Sequence, residues 1–259
     1  MKKVLAVIYG VSAYLFFLGT FTYAIGFAGN IGVPKGIDDG TISPLPVAIA
    51  INLALLAAFA LQHSVMARQG FKRMWIRIVP HSVERSTYVV AATLALALLL
   101  WQWRPLTGVV WDLRGTVAGT ILSVLFVVGW AILLASTFLV NHFELFGLAQ
   151  VWAYARGYEL PKQAFRTPGL YRIVRHPLYA GFVISFWSAP VMTAGHLMFS
   201  IATTGYILVG IFFEERDLIR TFGQRYREYR QRVPMLIPFP KRSRGEQGPV
   251  TVDRRQRVS

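Results

Sequence analysis

Residues 168–182 read PGLYRIVRHPLYAGF, and residues 214–238 read EERDLIRTFGQRYREYRQRVPMLIP. Most of the chain between them is apolar. Arg175, His176, Tyr179, Glu214, Glu215, Arg225 and Tyr229 therefore flank hydrophobic segments, in a chain that is 54% hydrophobic and only 15% charged. Soluble domains carry about 25% charged residues. This composition, with a mean hydropathy of +0.47, points to a polytopic membrane protein. Ionisable groups beside apolar spans are costly and mark functional sites.

A helical span needs about 20 apolar residues. The apolar runs predict helices over 4–27, 45–62, 88–103 and 117–140. Two shorter runs follow, 179–193 and 197–213, separated by Ala194, Gly195 and His196. These two read as a helical hairpin. The expected fold is thus all-α: a transmembrane bundle of five to six membrane segments, the last two a hairpin, with a polar pocket on the cytoplasmic side. Residues 1–140 form the lipid-facing helices, 141–240 carry the polar chemistry, and 241–259 read as a disordered basic tail.

Six segments place both termini on one side. All 27 Lys and Arg lie on that side except Lys35, Arg104 and Arg114. The positive-inside rule then puts both termini in the cytoplasm, as in a bacterial inner-membrane protein. Trp101, Trp103 and Trp111 near the opposite boundary fit an aromatic belt. The net charge of +15 would point to nucleic acid in a soluble protein. Here the basic residues lie between apolar spans, so the partner is an anionic bilayer surface and not nucleic acid. The absence of cysteine excludes disulfides, thiolate metal sites and a cysteine nucleophile. No other metal-ligand spacing stands out, and the sequence carries no signal of oligomeric state.

Two prolines organise the polar region. Pro168-Gly169 is a turn signal, and Pro177 suits the first turn of a helix. Glu214 and Glu215 directly follow an apolar run. A pair of carboxylates beside an anionic leaflet needs a cationic partner, and Arg175 or Arg225 supplies one. Leu218, Phe222, Tyr226 and Tyr229 lie at helical spacing among arginines, as in a basic amphipathic helix on the membrane, which Val233-Pro234 ends. Two readings stay open. One is an interfacial anchor with exposed ion pairs. The other is a site whose carboxylates hold a cationic or amine-bearing ligand while an arginine holds that ligand's own carboxylate.

GLYRIVRHPLYAG at 169–181, an apolar hairpin, then EERDLIRTFGQRYREYRQRVP at 214–234 resembles the integral-membrane methyltransferases related to isoprenylcysteine carboxyl methyltransferase. LQHSVMAR at 61–68, ERSTYV at 84–89 and NHFELFGL at 141–148 resemble the NnrU-like branch, which extends the likeness over nearly the whole chain. The resemblance implies S-adenosylmethionine as cofactor, bound without a Rossmann domain. It implies transfer of a methyl group to a small volatile thiol, methanethiol giving dimethyl sulfide. The chain indeed lacks a GxGxxG fingerprint. Alternatives are a membrane methyltransferase acting on a lipid amine or a larger thiol, and a non-enzymatic NnrU-like membrane protein.

The same resemblance implies cofactor contacts at Gln163, Ala164, Phe165 and Arg166, at Tyr171, at His176, Pro177, Leu178 and Tyr179, and at Glu214. Glu215 joins Glu214 in holding cationic groups, and Arg175 or Arg225 holds the cofactor carboxylate. Isoprenylcysteine enzymes carry a substrate-binding arginine one turn before that glutamate. Gly210 stands there in this chain, which favours an uncharged or thiol acceptor. An alkyl thiol with a reference pKa near 8.5 is mostly protonated at neutral pH, so a base is needed. His142 with Glu144 is the first candidate and His63 the second.

Overall fold

The computed structural model describes residues 1–161 and 164–239, so Gln163 and the expected tail at 241–259 lie outside the described residues. Five long apolar helices carry the fold: α1 (Lys2–Gly29), α2 (Leu45–Ala67), α4 (His81–Gln102), α5 (Val117–Val140) and α9 (Ala194–Phe222). Short helices α3 (Gln69–Trp75), α6 (His142–Leu145), α7 (Leu148–Arg156), α8 (Pro177–Trp187) and α10 (Gln224–Arg232) complete it. Each long helix satisfies its own backbone, the condition for crossing lipid, and exposes Leu, Val, Ile and Phe side chains outward. This is an integral membrane protein built as a helical bundle.

Two helices extend beyond their expected spans at the polar end. α2 runs through His63 and Ser64 to Ala67, and α4 starts seven residues before Tyr88, at His81. Polar residues ended the apolar runs but not the helices. His63 and Ser64 are satisfied by Tyr88 and Tyr206 on neighbouring helices, so the helix continues where hydropathy stops.

The hairpin differs from expectation. α8 stops at Trp187, eleven residues from its start, because Ser188-Ala189-Pro190 cannot continue it. The chain then forms a short strand, β2 (Val191–Thr193), antiparallel to β1 (Val109–Asp112). These are the only strands among the described residues, and neither was expected. Ala194, Gly195 and His196 are not a turn: they form the first turn of α9, capped by the Thr193 hydroxyl accepting from the His196 N–H at 3.1 Å.

The single amphipathic helix expected across 218–229 is also two helices. Gly223, at φ 60°, breaks it, a conformation that L-residues avoid. Trp103 is no belt residue. It is fully buried, edge-on to Phe27 at 6.4 Å and to Phe199 at 5.7 Å, in an aromatic core shared with Trp130 and Phe186.

α8 is pressed against α5 through small residues, the device that lets helices approach closely in lipid. The Ser185 hydroxyl reaches the Phe126 carbonyl at 3.2 Å. A Cβ on Gly181 would lie 2.6 Å from the Gly129 carbonyl oxygen. Gly181→Val is therefore expected to separate α8 from α5 and cost about 1–3 kcal/mol. The check is the thermal midpoint in detergent, and an unchanged midpoint would show that the two helices adjust freely.

This contact fixes the depth of the polar region. The start of α8 lies level with the last turn of α5. α9, at 29 residues and 1.5 Å per residue, is roughly 43 Å long, against about 30 Å of hydrocarbon. Glu214 falls roughly 30 Å along it, at the boundary. The start of α1 lies on the same face: Tyr14 meets His142, and Gly10 sits against Val151 of α7.

Candidate active site

One cavity, about 590 Å³, is an open groove between α1 and α4, lined by Leu15, Phe16, Tyr23, Lys35 and Trp101 among others. It contains no expected site residue. A smaller cavity, about 160 Å³, lies at the polar end, lined by Thr137, Val140, Leu145, Tyr171, His176, Leu178, Tyr179 and Glu214. Five of the residues implied as cofactor contacts thus meet around one space. Thr137, Val140 and Leu145 join them from α5 and α6. Nothing in the sequence singles out these three, which look like ordinary span and linker residues.

The two adjacent glutamates are divided. Glu214 faces the cavity, its side chain 44% exposed, with Tyr179 in the same wall. Glu215 turns away into a buried clamp. Its Oε1 accepts from Arg175 Nε at 2.7 Å and from His176 Nε2 at 3.2 Å, and its Oε2 lies 3.4 Å from Arg230 Nε. Successive helix residues point about 100° apart, so neighbours in sequence serve different faces.

Arg175 is buried and committed. Beyond Glu215, its Nη1 donates to the carbonyls of Arg230 and Val233 at 3.1 and 2.6 Å. The backbone N–H groups of Arg175 and His176 donate to Pro234 and Met235 at 2.8 and 3.1 Å. The Val233-Pro234 stretch, read from sequence only as a helix stop, brackets the site. Arg225 is exposed on α10 and makes no ion pair among the described residues. Arg230, one turn later, takes the place expected for it.

Pro177 is buried at the first turn of α8. Phe165 packs on Phe222, Tyr226 and Tyr229 at 5.3–5.9 Å, while Ala164 and Arg166 are exposed. The Tyr229 hydroxyl donates to the Tyr171 carbonyl at 2.5 Å. Burial pushes the Tyr229 phenol up to about 12. Burial and then the Glu214 charge push Tyr171 up as well. Both are neutral hydrogen-bonding groups at physiological pH.

The three expected bases do not line the cavity. His142 is buried one layer behind it. The Thr137 hydroxyl donates to the Leu134 carbonyl at 2.7 Å, so its oxygen accepts from His142 Nδ1–H at 2.8 Å. Nε2 then accepts from the Tyr14 hydroxyl at 2.8 Å, and the ring stacks on Phe138 at 4.3 Å. Both nitrogens are spent. Glu144 accepts from the Asn141 side-chain amide at 2.7 Å. His63 lies on α2, within 3.0 Å of the Tyr88 hydroxyl and stacked on Phe59.

Burial lowers the His142 pKa. The unfolded chain then takes up a proton before the folded one does. The stabilisation is complete above the unfolded value of about 6.5 and is lost progressively as the pH falls below it. The thermal midpoint is expected to drop between about pH 7 and about pH 5, with a shallower slope in His142→Gln. Parallel slopes in the two proteins would remove His142 from the pH response.

The model of the family described as NnrU protein matches residues 52–232. Among curated relatives, methanethiol S-methyltransferase of Mycobacterium tuberculosis is 54% identical over 242 residues, covering 93% of this chain and 99% of its own. Methanethiol S-methyltransferase 1 of Bradyrhizobium diazoefficiens is 55% identical, covering 92% of this chain and 83% of its own. Methanethiol S-methyltransferase of Crocosphaera subtropica is 48% identical, covering 92% and 94%. No solved structure matches the chain. The likeness runs through the helices that build the cavity as well as the motifs that line it, and the chain belongs to the NnrU family.

Proposed function

We propose that this protein is a membrane-embedded thiol methyltransferase that transfers a methyl group from S-adenosylmethionine to methanethiol, yielding dimethyl sulfide. The observation that carries the reading is a half-exposed carboxylate, Glu214, in the wall of a small, largely apolar cavity, in a chain 54% identical to a protein named for this reaction.

The residues present fit the charged end of such a donor. Its sulfonium and ammonium groups are cationic, and among the described residues Glu214 is the one carboxylate lining the cavity. The rings of Tyr171 and Tyr179 offer further attraction to a cation. Leu178, Val140 and Leu145 supply apolar walls for a one-carbon thiol. Ligand pockets usually measure about 300–1,000 Å³. At about 160 Å³, this space suits the reacting end and a very small acceptor. It favours methanethiol over a lipid amine or a bulky thiol. When bound, the donor supplies an electrophilic methyl group. The protein's part is to hold the acceptor sulfur in line with that carbon, about 3–3.5 Å away, and to keep water out.

With 24 basic residues implied on the side of the termini by the three exceptions Lys35, Arg104 and Arg114, the site faces the cytoplasm. The test is headspace gas chromatography of purified protein supplied with S-adenosylmethionine and methanethiol. Dimethyl sulfide above the protein-free background supports the reading. Its absence, with the donor shown to bind, would sink the choice of acceptor.

A further inference from the structure

The groups lining the cavity that titrate are His176, Glu214, Tyr171 and Tyr179. One of them must accept the thiol proton, or the thiol must ionise before it enters. Tyr171 is a neutral phenol with its pKa raised, and a neutral phenol is no base. Tyr179 is likewise a phenol, with a reference pKa of about 10. A carboxylate is in general a weaker base than an imidazole, and Glu214 carries the charge that attracts the donor. His176 remains.

The clamp behind His176 sets its tautomer. Glu215 is held ionised by Arg175 at 2.7 Å, and an ionised carboxylate only accepts hydrogen bonds. Its contact with His176 Nε2 at 3.2 Å therefore places the imidazole proton on Nε2. The lone pair is left on Nδ1. That atom lies 3.8 Å from Glu214 Oε2, on the side of the carboxylate that lines the cavity. Among the described residues, no hydrogen bond occupies it. This is the arrangement in which a carboxylate orients a histidine whose second nitrogen acts as base.

We infer that His176 is the general base of the reaction, taking the proton of the acceptor thiol on Nδ1 as the sulfur attacks. The inference rests on the methyltransferase reading above. The thiol S–H bond breaks and its proton passes to Nδ1. The freed sulfur electron pair forms the new bond to the methyl carbon. The bond from that carbon to the sulfonium breaks, and its electrons stay on the donor sulfur, which becomes a neutral thioether. The imidazolium is left between Glu214 and Glu215, with Arg175 and Arg230 beyond. Glu214, half exposed, offers the proton a way out to water.

The group that sequence reading treated as a cofactor contact thus takes the role assigned there to His142. The reason is positional. His142 has both nitrogens occupied by Thr137 and Tyr14, whereas His176 lines the cavity with one nitrogen bonded to Glu215 and the other 3.8 Å from Glu214.

The test uses His176→Gln, whose side-chain amide keeps an N–H toward Glu215 but offers no base. Transfer is measured to ethanethiol and to trifluoroethanethiol, similar in shape but with a far more acidic thiol. The second is supplied as its thiolate. The variant is expected to lose about 100-fold or more with ethanethiol and about tenfold or less with the fluorinated thiolate, while S-adenosylmethionine binding by equilibrium dialysis is retained. Equal losses on both thiols would reduce His176 to a positioning residue and overturn the inference. A second measurement needs no mutation: in the wild type, deuterated water should slow transfer to ethanethiol more than to the thiolate. Equal isotope effects would also overturn it. A wild type that methylates neither thiol would instead defeat the methyltransferase reading itself.

Discussion

Glu214→Gln is expected to lower kcat/KM for methyl transfer by about 100-fold and to leave the fold intact. A hydrogen bond to a charged group contributes about 1.5–3 kcal/mol, and a cavity partly closed to water raises its weight. Glutamine keeps the shape but removes the charge. Because the Glu214 side chain is 44% exposed and accepts no ion pair closer than His176 at 3.8 Å, its neutralisation strands no buried charge. The thermal midpoint should stay at the wild-type value while dimethyl sulfide in the headspace falls. Full activity in the variant would remove Glu214 from donor binding.

The neighbouring residue is expected to behave in the opposite way. Glu215→Gln removes the carboxylate that neutralises buried Arg175, whose side chain is 7% exposed. Breaking a buried pair from one side costs about 3–5 kcal/mol, because the remaining charge is left without compensation. A fall in the thermal midpoint on the order of 10 °C follows for a domain of this size. Activity should fall too, since an amide can present either a donor or an acceptor to His176 and no longer fixes its tautomer. The double variant Arg175→Met/Glu215→Leu separates the two effects: removing both charges should restore much of the stability but not the activity. A Glu215→Gln protein as stable as wild type would show that the clamp is dispensable.

The contrast between these two residues shows where sequence reading reaches its limit. Both glutamates were legible as a pair needing a cation, and Arg175 was legible as a partner. Which carboxylate it would take was not. The rotational phase of α9 against α8 decides that, and the phase is set where Phe186 and Trp187 of α8 meet His196, Ser200 and Thr204 of α9. The same holds for the arginines of α10. Arg225 and Arg230 are equivalent in composition and hydropathy, but the break at Gly223 resets the helix so that Arg230 reaches Glu215 and Arg225 faces outward.

The spans were accessible because apolar composition is a local property. Lipid demands about 20 apolar residues and a self-satisfied backbone, and the run over Val117–Val140 coincides with α5 to the residue. The motifs at 169–181 and 214–234 located the polar site, since proline, glycine and paired carboxylates have few other uses at a membrane boundary. Long-range partners were not accessible. The strand pairing that ends α8 joins residues far apart in the chain. The hydrogen bonds that occupy His142 come from α1 and α5. Sequence by itself determined that this is a helical membrane protein with a polar site at one face, because hydrophobicity and turn chemistry are written residue by residue. Only the tertiary structure decided which side chains enter the cavity and which nitrogen keeps its lone pair, because those depend on helix rotation and on partners brought together from distant segments.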